Sequence, residues 1–180
     1  INIMRRMLQQ EGTEVIHLGH NRSVEEIAEA AVQEDVHGIA ISSYQGGHME
    51  FFKYLVAKLE ELGRPEIPVF GGGGGTITDD EITELHAAGV NRIYSVEDGR
   101  ILGLAGMIKD MMERANRVLS KPKDAIPPKL FQADPAAIAR GLTLFETLHS
   151  QSDSSRLEEL RAELYKQAQE TLCPILGITG

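Results

Sequence analysis

Between Val15 and Tyr94 short apolar runs alternate with stretches of helical period, and few architectures accept that pattern. It is the signature of a parallel sheet covered by helices on both faces. Strands are expected near Val15–Leu18, Gly38–Ser42, Pro68–Gly71 and Arg92–Tyr94. Between the first two, Val24, Ile27, Ala28, Ala31 and Val32 make the stripe that packs a helix on a sheet. Ser23 with Glu26, and later Thr78 with Glu81, have the spacing of capping boxes at helix starts. A helix over His48–Leu62 turns Phe52, Leu55, Val56, Leu59 and Leu62 inward, and another over Ile101–Leu119 is expected to bury Leu104, Ala105, Ile108, Met111, Met112 and Ala115.

The opening of the chain is unusual. Ile1–Gln10 already has helical period and runs into a strand with none before it. The expected class is therefore α/β: a flavodoxin-like, doubly wound parallel sheet whose first strand is missing. In the order 2-1-3-4-5 that strand would be central, between Val15–Leu18 and Gly38–Ser42. Ser120–Pro128, with three prolines in nine residues, reads as a linker. Two helices should follow, near Pro135–His149 and Ser154–Thr171, the second with Leu157, Leu160, Leu164 and Ala168 on one face. From Cys173 to Gly180 the sequence starts like a buried strand running into a glycine turn. The expected organisation is thus residues 1–119 as an α/β domain, 120–172 as a helical linker and 173–180 as the opening strand of a further domain.

Charge narrows the partners. With 18 Lys+Arg against 27 Asp+Glu the formal net charge is −9, and no basic block relieves it. Such a surface repels nucleic acid and anionic lipid, so neither is an expected partner. No apolar run approaches the roughly 20 residues that span a bilayer, and one cysteine, Cys173, permits no internal disulfide. A cytoplasmic location is the expectation.

Ligands of an open parallel sheet bind beyond the carboxyl ends of its strands. Those ends read His17 to Arg22, Ser42 to His48, Gly71 to Gly75 and Tyr94 to Gly99. Five successive glycines strip one rim of side chains, at an entropic cost that a close-approaching ligand or backbone would explain. The run continues into Thr76-Ile77-Thr78 without the lysine of a phosphate-binding P-loop, and it follows the third expected strand, not the first turn where a dinucleotide fingerprint would lie. Ser42 and Gly71 stand where a receiver domain would need a carboxylate. His17, His20 and His48 could converge at the crevice, but no fourth metal ligand is identifiable. No Ser-His-Asp order or carboxylate pair points to nucleophilic or acid–base catalysis.

On these loops the sequence resembles the cobalamin-binding domain of coenzyme-dependent acyl-CoA mutases. That family carries a DxHxxG motif after its first strand, Ser-x-Leu after its third and Gly-Gly after its fourth. Ser42-Ser43-Tyr44 matches the second, with Tyr44 in place of leucine, and Gly71–Gly75 matches the third. Val15–Ser23, Ser42–His48 and Val69–Gly75 are most similar to the fused isobutyryl-CoA mutases, a resemblance that covers about residues 1–117. Residues Pro174–Gly180 resemble the strand entering the Walker A loop of the G-protein chaperone domain in those proteins.

The resemblance implies adenosylcobalamin bound base-off, its dimethylbenzimidazole tail inserted into the sheet. The cobalt-coordinating histidine would lie upstream of Ile1, so the sequence carries no implied metal ligand. Gly71, Gly72, Gly73, Gly74 and Gly75 would supply a slot free of side chains, with Gly74 and Gly75 favoured by the register of Thr76-Ile77. Ser42 would hydrogen-bond the tail base, Tyr44 would line its apolar wall, and Met4, Gly19, Tyr94 and Ser95 would complete the slot. The implied reaction is radical interconversion of isobutyryl-CoA and n-butyryl-CoA, with no catalytic residue in this stretch. Implied partners are an acyl-CoA substrate domain and a chaperone domain, binding GTP and Mg, in the same polypeptide, together forming a homodimer. Two other readings stay open: a cobalamin carrier or methyltransferase module, and a flavodoxin-like assembly domain without cofactor.

Overall fold

A computed structural model of the chain describes residues 2–44, 46–117, 119, 121 and 124–170. It divides into two compact units, Ile1–Arg117 and Val118–Gly180.

The first unit is built on a parallel sheet of β1 (Ile39–Ser42), β2 (Val69–Gly72) and β3 (Arg92–Tyr94), in that spatial order. Alternation along the strands sends their side chains to two faces. Ile39, Val69 and Ile93 join a core with Val24, Ala28 and Ala31 of α2 (Val24–Gln33), Phe52, Leu55 and Leu59 of α3 (His48–Glu61) and Leu85 of α4 (Asp79–Ala87). Phe70 and Tyr94 face the other way and pack with Met111 of α5 (Val96–Ala115), joined by Met4 of α1 (Asn2–Gln10), Met107 and Ala115. The fold is α/β, with helices on both faces of a parallel sheet, consistent with the flavodoxin-like class.

Three expectations change. Val15–Leu18 is not a strand, and Ile16 is largely exposed. A strand exists only through a hydrogen-bonding neighbour, and in the order 2-1-3-4-5 this segment is never adjacent to β1, so the sheet offers it no ladder. The last helix of the unit begins at Val96, not Ile101, because Ser95 and Asp98 form a third capping box. It ends at Ala115 and is broken at Gly103, where φ is +63°. That break leaves Leu104 and Ala105 exposed, while Ile108 and Met111 are buried. Both capping boxes expected from sequence are formed, at Ser23 with Glu26 and at Thr78 with Glu81.

The amino-terminal edge of the sheet is locked. Arg64, 2% exposed, bonds through Nη2 to Asp35, 4% exposed, and donates through Nε to Glu66 Oε1 at 2.7 Å. Arg117 donates to Val36 O at 2.7 Å, tying the chain after α5 to the α2–β1 turn. A buried pair of this kind is weak evidence for net stability, but removing one partner strands the other charge at a cost of about 3–5 kcal/mol.

The second unit is a helical hairpin of α6 (Pro135–Ser150) and α7 (Ser154–Gln169), capped by Asp134 and Asp153. Leu144, Leu148 and Leu160 form its core with Ile126, so part of the proline-rich stretch is packed rather than free. Of the expected inward face of α7, Leu157 and Leu164 pack against this core and Ala168 is exposed. The strand expected at 173–180 lies outside the described residues. Among the described residues no helix is long and apolar enough to cross a membrane.

Candidate cobalamin site at the carboxyl edge of the sheet

Register places Ser42, Gly72 and Tyr94 side by side at the ends of the three strands. Two residues behind, Ala40 stands beside Phe70 on the same face. This face carries the α1 and α5 cluster under β2 and β3, yet Ala40 is exposed and Ser42 and Gly72 are only half-buried. The terminal row is therefore small, small and aromatic, open on the β1 side. Register brings Ser42, Gly72 and Tyr94 together, and Met4 packs against the Phe70, Tyr94 and Met111 cluster on the same face.

The five glycines turn out to have different physical reasons. A Cβ on Gly71 would stand 2.5 Å from Phe52 Cζ and 2.6 Å from Ile93 Cδ1, inside the α3 core. On Gly73 it would strike the Ser43 carbonyl. Gly74 and Gly75 have φ of +55° and +95°, and Thr76 N–H closes the turn onto Gly73 O at 3.1 Å. Only at Gly72 would an added Cβ find ordinary surroundings, with Tyr94 O at 3.5 Å and Tyr94 Cβ at 3.9 Å. The chain's own packing does not require glycine there, and filling that position would fill the open row.

The neighbouring loops frame this row. Tyr44 is 69% exposed, and a Cβ on Gly74 would come within 2.8 Å of its ring. Ser43 N–H donates to Gly72 O at 2.9 Å, and the Thr76 hydroxyl donates to Gly73 O at 2.8 Å and to Ser43 O at 3.3 Å. Between the β2–α4 loop and the start of α5 lies a crevice of about 390 Å³ lined by Gly75, Ile77, Thr78, Ser95, Val96 and Arg100, among others.

Tyr94 is fixed from below. Its hydroxyl donates to Asp110 Oδ2 at 2.9 Å, and Arg114 Nε donates to both oxygens of that carboxylate. Burial, with Asp110 adding to it, pushes the Tyr94 phenol far above its ordinary range, so it remains a neutral donor. Burial raises Asp110 too, but the Arg114 and Tyr94 hydrogen bonds outweigh it and hold the carboxyl below its usual range. The Ser95 hydroxyl is engaged with Asp98 Oδ2 at 3.0 Å in the α5 cap. Gly19 lies in the segment outside the sheet, with φ of +89° and nothing within 4 Å of a would-be Cβ.

Sequence reading missed the support beneath the row, namely Asp110 and Arg114, and the crevice residue Arg100, while Val96 falls within the Tyr94–Gly99 strand end it named. The Ser95-x-x-Asp98 spacing was the available signal for where α5 starts. Among the described residues no group of three or more His, Cys, Asp or Glu could hold a metal ion, and His48 instead faces Glu81.

The B12 binding domain family matches residues 1–99. The chain belongs to that family. The small-residue row, with a glycine no internal contact demands, suits the insertion of a flat heterocycle, so the residues present fit a cobalamin cofactor. Over its whole length the chain is 53% identical to a fused isobutyryl-CoA mutase of Cupriavidus metallidurans, covering 16% of that protein. It is 51% identical to the fused isobutyryl-CoA mutase of Geobacillus kaustophilus, covering 17% of it. A methylmalonyl-CoA mutase large subunit of Porphyromonas gingivalis is 41% identical over 70 residues, 39% of this chain and 10% of that subunit. This B12-binding chain thus spans about 16% of the length of the first of these relatives.

Proposed function

We propose that the chain is the adenosylcobalamin-binding module of a radical acyl-CoA mutase that interconverts isobutyryl-CoA and n-butyryl-CoA. The observation that carries the binding site is the row Ser42, Gly72 and Tyr94 on the face shared with Met4. Ser42 would hydrogen-bond the nucleotide tail of a base-off cofactor, Gly72 would admit the heterocycle, Tyr94 would floor it, and Tyr44 would close the rim. Gly71, Gly73, Gly74 and Gly75 shape that slot without lining it. When bound, adenosylcobalamin supplies the homolytic chemistry by which an acyl-CoA carbon skeleton rearranges. The residues of this chain bind and orient the cofactor. Similarity to fused isobutyryl-CoA mutases over the whole of this chain, which is 16–17% of their length, supports the substrate assignment. The word fused in those relatives' names supports a multi-domain polypeptide; in this reading it holds a substrate domain and a chaperone domain using GTP and Mg, and forms a homodimer. In that organisation residues 1–119 are the cobalamin domain, 120–172 the linker and 173–180 the start of the chaperone domain.

The test is titration of the native polypeptide with adenosylcobalamin, followed by visible absorption. Saturable binding with a shift to the base-off spectrum is expected, and Gly72→Val should weaken it at least tenfold by filling the row. A spectrum that stays base-on when bound would overturn tail insertion, and absence of binding would leave the assembly-domain reading ahead.

A further inference from the structure

We infer that His48 is a positioning residue for the cofactor slot, holding the β1–α3 and β2–α4 loops at the spacing that frames the Ser42, Gly72 and Tyr94 row. The inference rests on the function proposed above. His48 is the first residue of α3 and is buried, and its Nε2 stands 3.2 Å from Glu81 Oε1 on α4. Glu81 is not a loose partner. Its other oxygen accepts from Thr78 N–H at 2.8 Å and from the Thr78 hydroxyl at 3.0 Å, closing the α4 cap. One carboxylate therefore joins the exits of two loops, and neither helix start can drift without breaking the cap or the imidazole contact.

Nearer the sheet the same two loops already touch. Ser43 bonds Gly72, Thr76 reaches Ser43 O, and the Tyr44 ring lies over Gly74. Those inner contacts are hydrogen bonds of neutral groups and one ring contact on an exposed rim, each of modest net worth. The His48 contact is to a carboxylate, with the imidazole 10% and the Glu81 side chain 32% exposed, so it sits deeper than the ring contact on the exposed rim. His48 starts α3 and meets Glu81 of α4, so it acts on the row through Glu81 and the loops.

A fastening of this kind predicts a selective loss. Cobalamin and cobinamide share the corrin, but only cobalamin has the nucleotide tail that needs the slot. In the native polypeptide, His48→Leu should weaken cobalamin about tenfold, equivalent to ~1.4 kcal/mol, and leave cobinamide unchanged. His48→Gln keeps an N–H donor and should restore cobalamin binding to within about threefold of wild type. His48→Met, which keeps bulk on an unbranched and adaptable chain, replaces the leucine variant if that one does not fold. A merely structural histidine would lower both affinities together, or neither, and either result overturns the inference. A wild-type protein that binds both corrinoids equally overturns the slot itself, whereas a wild-type preference that survives loss of the imidazole overturns only the role of His48.

Discussion

Adjacent glycines in one run can be glycine for unrelated reasons, and substitution separates them. Gly71 lies within the α3 core, where a methyl group would overlap Phe52 and Ile93. Overpacking of that order costs about 1–3 kcal/mol, so Gly71→Ala should lower the urea midpoint without any ligand present. Gly72→Ala meets nothing closer than 3.5 Å and should leave that midpoint nearly unchanged. Equal losses in the two variants would show that Gly72 is also a packing glycine and that the row is not open. The run was legible as a place of close approach, but not as four internal requirements and one vacancy. Which glycine faces which side follows from strand register, and a uniform stretch carries no pattern from which register could be read.

At the level of elements, what was legible had a local cause. The stripes of α2 and α3 and two capping boxes are properties of residues within one turn of each other, and each formed as the spacing indicates. Val15–Leu18 failed because a strand depends on a neighbour far away in sequence, which no local pattern supplies. The start of α5 was misplaced because Gly99 and Gly103 interrupt its helical period, whereas Ser95 and Asp98 fix it chemically. Asp98 accepts from Ser95 N–H at 2.8 Å and from Arg92 Nη2 at 2.6 Å, so the cap also fastens α5 to β3. Ser95→Ala should cost about 1 kcal/mol, and because Asp98 of the same cap holds Arg92, whose guanidinium lies 5.5 Å from the Tyr94 ring centroid, it should also change the surroundings of Tyr94. Urea unfolding measures the first effect, and the fluorescence of Tyr94 against that of a Tyr94→Phe control measures the second. An unchanged midpoint would mean that the backbone of α5 is set by its core face alone.

For the first unit as a whole, stability should fall with acid in two separate windows. His86 Nε2 accepts the Ile93 N–H at 3.1 Å, a bond available only to the neutral ring. Burial first, then the charges of Arg92 and Arg114, push its pKa below the ordinary 6.5. The unfolded chain therefore binds a proton at His86 before the folded one does, and linkage makes stability full above pH 6.5 and progressively lost as pH drops toward the lower folded value. A second loss belongs to carboxylates held below their ordinary values near 4.5 for Glu and 3.8 for Asp. Glu26 is lowered chiefly by the Ser23 N–H and Glu81 by the Thr78 N–H. At Asp110 burial works in the opposite sense, and the Arg114 and Tyr94 hydrogen bonds prevail. These groups stabilise the fold above those values and stop doing so as pH falls through their folded-state pKa values. Urea midpoints taken from pH 8 to pH 3 should thus show a shallow decline beginning near 6.5 and a steeper one beginning near 4.5. His86→Gln, whose side-chain oxygen can still accept from Ile93 N–H, should flatten the first decline and leave the second in place. If the first decline persists in that variant, another group titrates there and the neutral imidazole beneath β3 is not its source.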